Sequence, residues 1–317
     1  MVTAMGDAVG DATGPTATER AAGCSDPVRA WAERGDMRTL AGHDVFVVDV
    51  ASADPASDRE ALLLLHGFPT SSFDYAGVID ALAVDRRVVT ADFVGFGLSD
   101  KPDRHYTMAL QADVVVELTA ALGIDRLALL SHDMGDTVGG ELLARHSEGG
   151  WPVEITRRVV TNGSIYIDLA QLTDGQQFLL ALPDEVLADG LGPDATALAA
   201  SLVATLSPAT SLTVADLVAH GELVAALGGA GVLPRTIRYI EERRANERRF
   251  TGAIESHPSP LAVVWGVDDP IAVPAMVDAL RAARPNAAVT LLHQVGHYPV
   301  LEDRERWLDA VRAGLAG

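Results

Sequence analysis

Leu127-Ala128-Leu129-Leu130-Ser131-His132-Asp133-Met134-Gly135 is the stretch that decides the fold. An apolar run stops abruptly, and a helical pattern begins at Asp136. That is strand, tight turn, helix. A strand-to-helix turn this sharp accepts only small residues two positions to either side of its apex, and Ser131 and Gly135 stand there around Asp133. Such a turn lifts the apex side chain above the sheet and aims the next backbone N–H at a developing oxyanion. Asp133 is therefore the candidate nucleophile. Ser131 at the apex would be flanked by Leu129 and Asp133, neither of them small. A third reading has Asp133 merely capping the helix that follows.

Outward from this turn the chain alternates between two periods. Segments 44–50, 61–65, 87–91, 127–130, 158–161, 261–265 and 289–292 read as strands, and 72–83, 108–122, 136–147, 272–283 and 303–315 as helices. The run Ala61–Leu65 is apolar throughout, as in a strand buried on both faces. The alternation implies βαβ units, a mostly parallel twisted sheet and helices on both of its faces. Residues 165–255 hold no convincing strand and read as an inserted helical cap over the carboxyl edge of the sheet. The core then comprises 25–164 and 256–317, and residues 1–24 read as a disordered tail.

Two further strand ends complete a catalytic set. His66-Gly67-Phe68-Pro69 follows a buried strand, where this architecture draws its second oxyanion donor, so the backbone N–H groups of Phe68 and Met134 are the expected oxyanion hole. Asp268-Asp269-Pro270 closes one strand and Gly296-His297-Tyr298 follows the next. The order Asp133, Asp269, His297 is nucleophile, acid, base. Asp268 competes with Asp269 to orient His297, and Asp269 is preferred. His132, Asn162 and Tyr166 are further candidates for substrate contact.

Composition narrows the classes. A formal net charge of −20 disfavours nucleic acid and anionic membranes as partners. One cysteine, Cys24, excludes an intrachain disulfide. No apolar run approaches the ~20 residues of a membrane span. No apolar leader precedes Cys24, and a cytoplasmic location is expected. Nine histidines show no metal-ligand spacing, so neither metal nor cofactor is expected. A homodimer is compatible with all of this.

With these residues assembled, the chain resembles the aspartate-nucleophile branch of the α/β-hydrolases: epoxide hydrolases, haloalkane dehalogenases and fluoroacetate dehalogenases. Within it, His66 to Ser72, Leu130 to Asp136 and Gln294 to Asp303 are similar to the pattern of the mesoderm-specific transcript family. The family's Gly-x-x-Asp-Pro spacing falls on Gly266 to Pro270, which favours Asp269. The resemblance implies that Asp133 forms an alkyl-enzyme ester at an sp³ carbon, and that His297 then activates water to cleave it. It also implies that Tyr239, helped by Tyr166, protonates an epoxide oxygen. Epoxide hydrolysis to a vicinal diol is the expected reaction, with a small apolar epoxide or halogenated substrate and water. Dehalogenation and a catalytically silent protein are the alternatives. Met134 stands where dehalogenases of this branch carry a tryptophan or an arginine, and its thioether donates no hydrogen bond.

Overall fold

The computed structural model describes residues 12, 14–188 and 190–316. Eight strands form one sheet: β1 Asp36–Leu40, β2 His43–Val50, β3 Ala61–Leu65, β4 Val88–Ala91, β5 Arg126–His132, β6 Glu154–Thr161, β7 Leu261–Gly266 and β8 Ala288–Leu292. Their order is β1-β2-β4-β3-β5-β6-β7-β8. The β1–β2 and β2–β4 pairs are antiparallel, and every pair from β4–β3 to β7–β8 is parallel. The parallel strands β3, β5 and β7 are buried almost throughout, which explains their unbroken apolar sequences. The edge strand β1 carries no strand signature in its sequence, because Asp-Met-Arg-Thr-Leu mixes charge with apolar residues.

Helices cover both faces. The core set is α1 Ala17–Arg20, α2 Asp26–Ala32, α3 Ile79–Leu82, α4 Met108–Ala121 and α5 Met134–Ser147. Between β6 and β7 lie α6 Asp174–Ala181, α7 Ala195–Val203, α8 Val214–Ala225, α9 Gly229–Thr236, α10 Tyr239–Ala245 and α11 Glu247–Ser256. After β7 come α12 Ala275–Ala283, α13 Pro299–Glu302 and α14 Arg304–Ala316. This is the α/β-hydrolase architecture with an inserted helical cap. One large apolar cluster joins the sheet, α4, α5 and the cap, and a second fills the opposite face beneath α14.

Two expectations meet particular facts here. Of the segment read as a tail, residues 1–11 and 13 lie outside the described residues, but the remainder is docked rather than disordered. Thr16 caps α1 in a reciprocal box with Glu19, Ala17 and Ala21 are buried, and Arg20 bonds the Leu98 carbonyl at 3.1 Å and Asp100 at 2.9 Å. An apolar stretch of membrane-spanning length does exist, Val214–Ala245. It is broken at Leu227, whose φ is 54°, and half of its most apolar window is buried inside the molecule.

Candidate active site

The turn between β5 and α5 has the geometry its sequence demands. Asp133 holds φ 49° and ψ −115°, a strained conformation for a side chain other than glycine. Its neighbours allow it. A Cβ on Gly135 would stand 2.5 Å from the Leu65 carbonyl oxygen, so no larger residue fits there without displacing β3. Ser131 points elsewhere: its hydroxyl is bonded to the buried Asp136 carboxyl, not to His297. Asp133 alone occupies the apex.

The carboxylate of Asp133 is held asymmetrically. Its Oδ2 accepts a hydrogen bond from the Phe68 N–H at 2.8 Å. Its Oδ1 is buried, has no hydrogen-bond partner, and lies 3.9 Å from Nε2 of His297. On the other side of the ring, His297 Nδ1–H donates to Asp269 Oδ2 at 2.8 Å, which fixes the tautomer. Asp269 is anchored in turn by N–H groups of Ile271 at 2.7 Å and Ala272 at 3.0 Å. Asp268 is turned away and accepts from Ser207 at 2.6 Å. Burial alone would lower the His297 pKa. The carboxylates of Asp269 and Asp133 more than offset this and push it up to about 9. The two flanking carboxyl groups favour the protonated ring.

The remaining candidates fall into place unevenly. Met134 opens α5, where the first turn of a helix leaves N–H groups free of intrahelical bonds. Tyr239 is buried beside this carboxylate, packed on the Phe68 ring at 5.6 Å, with the Arg243 guanidinium 5.0 Å from its own ring centre. Tyr166 is not brought to Asp133, because its hydroxyl donates to Glu255 at 2.9 Å. Asn162 is no substrate contact either. Its amide donates to Asp269 at 2.7 Å and its oxygen accepts from the Gly266 N–H at 2.9 Å, tying β6 to the acid loop. His132 bonds the His297 carbonyl at 2.7 Å through Nε2, and burial drives its pKa down to about 4, so it supports the His297 loop as a neutral ring.

Sequence reasoning passed over the residues that bind cap to core. Glu302 accepts from the backbone N–H groups of Gly296, Tyr298 and Ser207, and the His297 N–H donates to the Thr205 carbonyl at 3.1 Å. The Ser207–Glu302 and Thr205–His297 contacts join segments some ninety residues apart, and no local pattern announces them. Above the site lies a cavity of about 470 Å³. Phe68, His297 and Tyr298 form its floor, and Leu179, Leu182, Leu198, Leu202 and Leu233 form much of its wall. That volume suits a small-molecule substrate. Among the described residues, no group of three or more His, Cys, Asp or Glu is placed to hold a metal ion.

A family model described as alpha/beta hydrolase fold matches residues 60–304. The putative hydrolase LipZ of Mycobacterium tuberculosis is 37% identical over 293 residues, covering 90% of this chain and 97% of LipZ. The mesoderm-specific transcript protein of Mus musculus is 32% identical over 301 residues, covering 90% of this chain and 87% of that protein. Among solved structures, the enol-lactonase from Burkholderia xenovorans LB400 superposes with a TM-score of 0.68 at 18% identity, covering 89% of this chain and 100% of the lactonase. An esterase from Thermogutta terrifontis gives 0.68 at 19% identity, covering 89% and 97%. At such identities these two structures share the fold.

The comparisons correct the expected branch. Among the solved structures that share the fold, a membrane phospholipase A, the esterase, the enol-lactonase and a meta-cleavage product hydrolase carry names outside epoxide and halide chemistry. Assignment to the epoxide hydrolases and dehalogenases is therefore withdrawn, and so is an epoxide or halogenated substrate. The alkyl-enzyme ester on Asp133, the dehalogenase alternative and the silent protein fall with it. The geometry agrees on the epoxide: of the two tyrosines expected to open the ring, Tyr166 is committed to Glu255. The elbow apex in this chain nonetheless carries a carboxylate where a hydroxyl nucleophile would stand.

Proposed function

The chain belongs to the α/β-hydrolase-fold family, and from that premise we propose that it hydrolyses an ester-type acyl bond in a small apolar substrate by direct attack of water. One observation carries this reading: Oδ1 of Asp133 stands 3.9 Å from Nε2 of His297, and His297 lines the apolar cavity. That separation is too long for a good direct hydrogen bond and suits a flanking water that bonds both groups.

In the proposed reaction Asp133 Oδ1 takes a proton from this water as its oxygen bonds to the acyl carbon. The carbonyl π pair moves onto the substrate oxygen, which the Met134 N–H and the N-terminal end of α5 stabilise. The intermediate collapses, the acyl–oxygen bond breaks, and His297 Nε2–H supplies the proton to the departing alcohol. The proton on Asp133 returns to His297, which restores the starting state. Asp269 holds the ring throughout. The Phe68 N–H, expected to hold the substrate oxyanion, here aims Asp133 instead. Tyr239 would brace the Phe68 ring rather than donate a proton.

A panel of p-nitrophenyl esters from acetate to decanoate tests the reading. Turnover should be measurable, should favour the apolar members that fill the cavity, and should fall by about 10²–10⁴ in His297→Gln. Absence of turnover on every ester, from protein that is folded and monodisperse, would remove the proposal.

A further inference from the structure

Behind the loop that carries Phe68 lies a polar pair that the mechanism above does not use. Asp74, on the 3₁₀ turn Ser72–Tyr75, is 2% exposed. Its Oδ2 accepts from the Thr70 hydroxyl at 2.6 Å, while its Oδ1 has no hydrogen-bond partner. Nε2 of His220, from cap helix α8, faces that oxygen at 3.5 Å. Both ring nitrogens of His220 are buried without a partner, and the ring packs on Phe73 with centres 4.8 Å apart. Orphaned buried polar groups are costly. The two approach each other across a shared cleft, one from the core and one from the cap.

The pair reaches the active site through very few atoms. Thr70 is two residues from Phe68, whose N–H aims Asp133. The Tyr298 hydroxyl donates to the Phe68 carbonyl at 3.2 Å. The peptide around Phe68 is thus gripped by Tyr298 from one side and, through Thr70, by Asp74 from the other. We propose that Asp74 is a positioning residue: through Thr70 it fixes the Phe68 N–H, and its contact with His220 makes that placement depend on a seated cap.

The electrostatics suit this role. Burial raises the Asp74 pKa to about 8 and lowers that of His220 to about 4. Both shifts favour the uncharged forms of the two groups across their 3.5 Å contact. Asp92, His297 and Asp133 act on Asp74 at longer range, and Asp216 and Arg304 line the same cleft as His220. The kinetic consequence rests on the hydrolase reading above, whereas the effect on loop order does not.

The test uses Asp74→Leu, Asp74→Asn, His220→Leu and the double Asp74→Leu, His220→Leu variant, with two readouts. Amide hydrogen exchange in segment 66–75 should rise about tenfold in Asp74→Leu, which loses the Thr70 hydrogen bond, and in His220→Leu, which loses the cap contact that holds Asp74 in place. On a p-nitrophenyl ester, kcat should fall about tenfold in both, with KM within about twofold. Asp74→Asn, which keeps an acceptor for Thr70, should stay near wild type. The double variant should be no worse than Asp74→Leu, because the two residues act as one unit. Wild-type exchange in folded His220→Leu, or additive losses in the double variant, would overturn the proposal. If the wild type turns over no ester, the exchange data decide alone. If Asp74→Leu does not fold, His220→Leu against Asp74→Asn decides.

Discussion

A carboxylate at the elbow apex changes what His297 can do. Facing a neutral hydroxyl, a histidine of this kind would act first as a base. Between Asp133 and Asp269 its pKa is pushed up to about 9, which suits it to act first as an acid. Two outcomes follow at this scale. Asp133→Asn removes the proton acceptor while keeping shape and the Phe68 contact, and kcat should fall by about 10²–10⁴ in steady-state assays. Wild-type kcat should hold across neutral pH and decline as pH rises through about 9, where the acid is lost. Removing the charge of the orienting acid in Asp269→Asn should move that decline to lower pH, because Asp269 is the larger of the two carboxylate influences on the ring. A profile that instead rises from pH 5 to 8 would mean His297 works as a base.

At the scale of the elements, the elbow depends on how closely β5 and α5 approach β3. Gly135→Ala would press a methyl against the Leu65 and His66 carbonyls at 2.5 and 2.7 Å. Overpacking of this kind costs about 1–3 kcal/mol, readable as a drop in denaturation midpoint together with lost activity as Asp133 is displaced. The elbow, its small flanking residues and the order Asp133, Asp269, His297 could all be read from the sequence, because each lies within a few residues of a strand end with a strong apolar signature. What could not be read is what depends on packing between distant segments. The sequence spacing favours Asp269 over the adjacent Asp268, but what separates them physically is distant packing: Ser207 of the cap takes one and His297 takes the other. Asn162 and Tyr166 follow the same strand end and look like site residues, yet one ties backbone segments together and the other turns to Glu255. The chemistry inferred from Asp133 through family resemblance went further than the residues themselves could carry.

For the whole molecule, the cap provides both the pocket wall and the dry environment that makes buried charge effective. Replacing Leu198 on α7 with tryptophan should fill part of the cavity of about 470 Å³ and raise KM for long-chain esters more than for acetate, as an acyl-chain series would record. Stability should also depend on pH through the buried pair. His297 has its pKa raised in the folded state, so its contribution is complete below its unfolded value near 6.5 and is lost as pH rises through about 9. The Asp269 pKa is lowered, because His297 and the hydrogen bonds to its carboxylate outweigh desolvation. Its contribution is present above about 3.9 and is lost as pH falls further. Thermal unfolding should therefore weaken from pH 7 to 9.5 in the wild type and change less over that interval in His297→Gln.

The most direct measurement is a single turnover of excess enzyme with an ester in ¹⁸O-water, followed by mass analysis of the product acid and of the peptide containing Asp133. Direct attack by water predicts ¹⁸O in the product carboxylate and none in Asp133. Label in the Asp133 side chain would contradict it, because only a covalent intermediate on that carboxylate can carry solvent oxygen there.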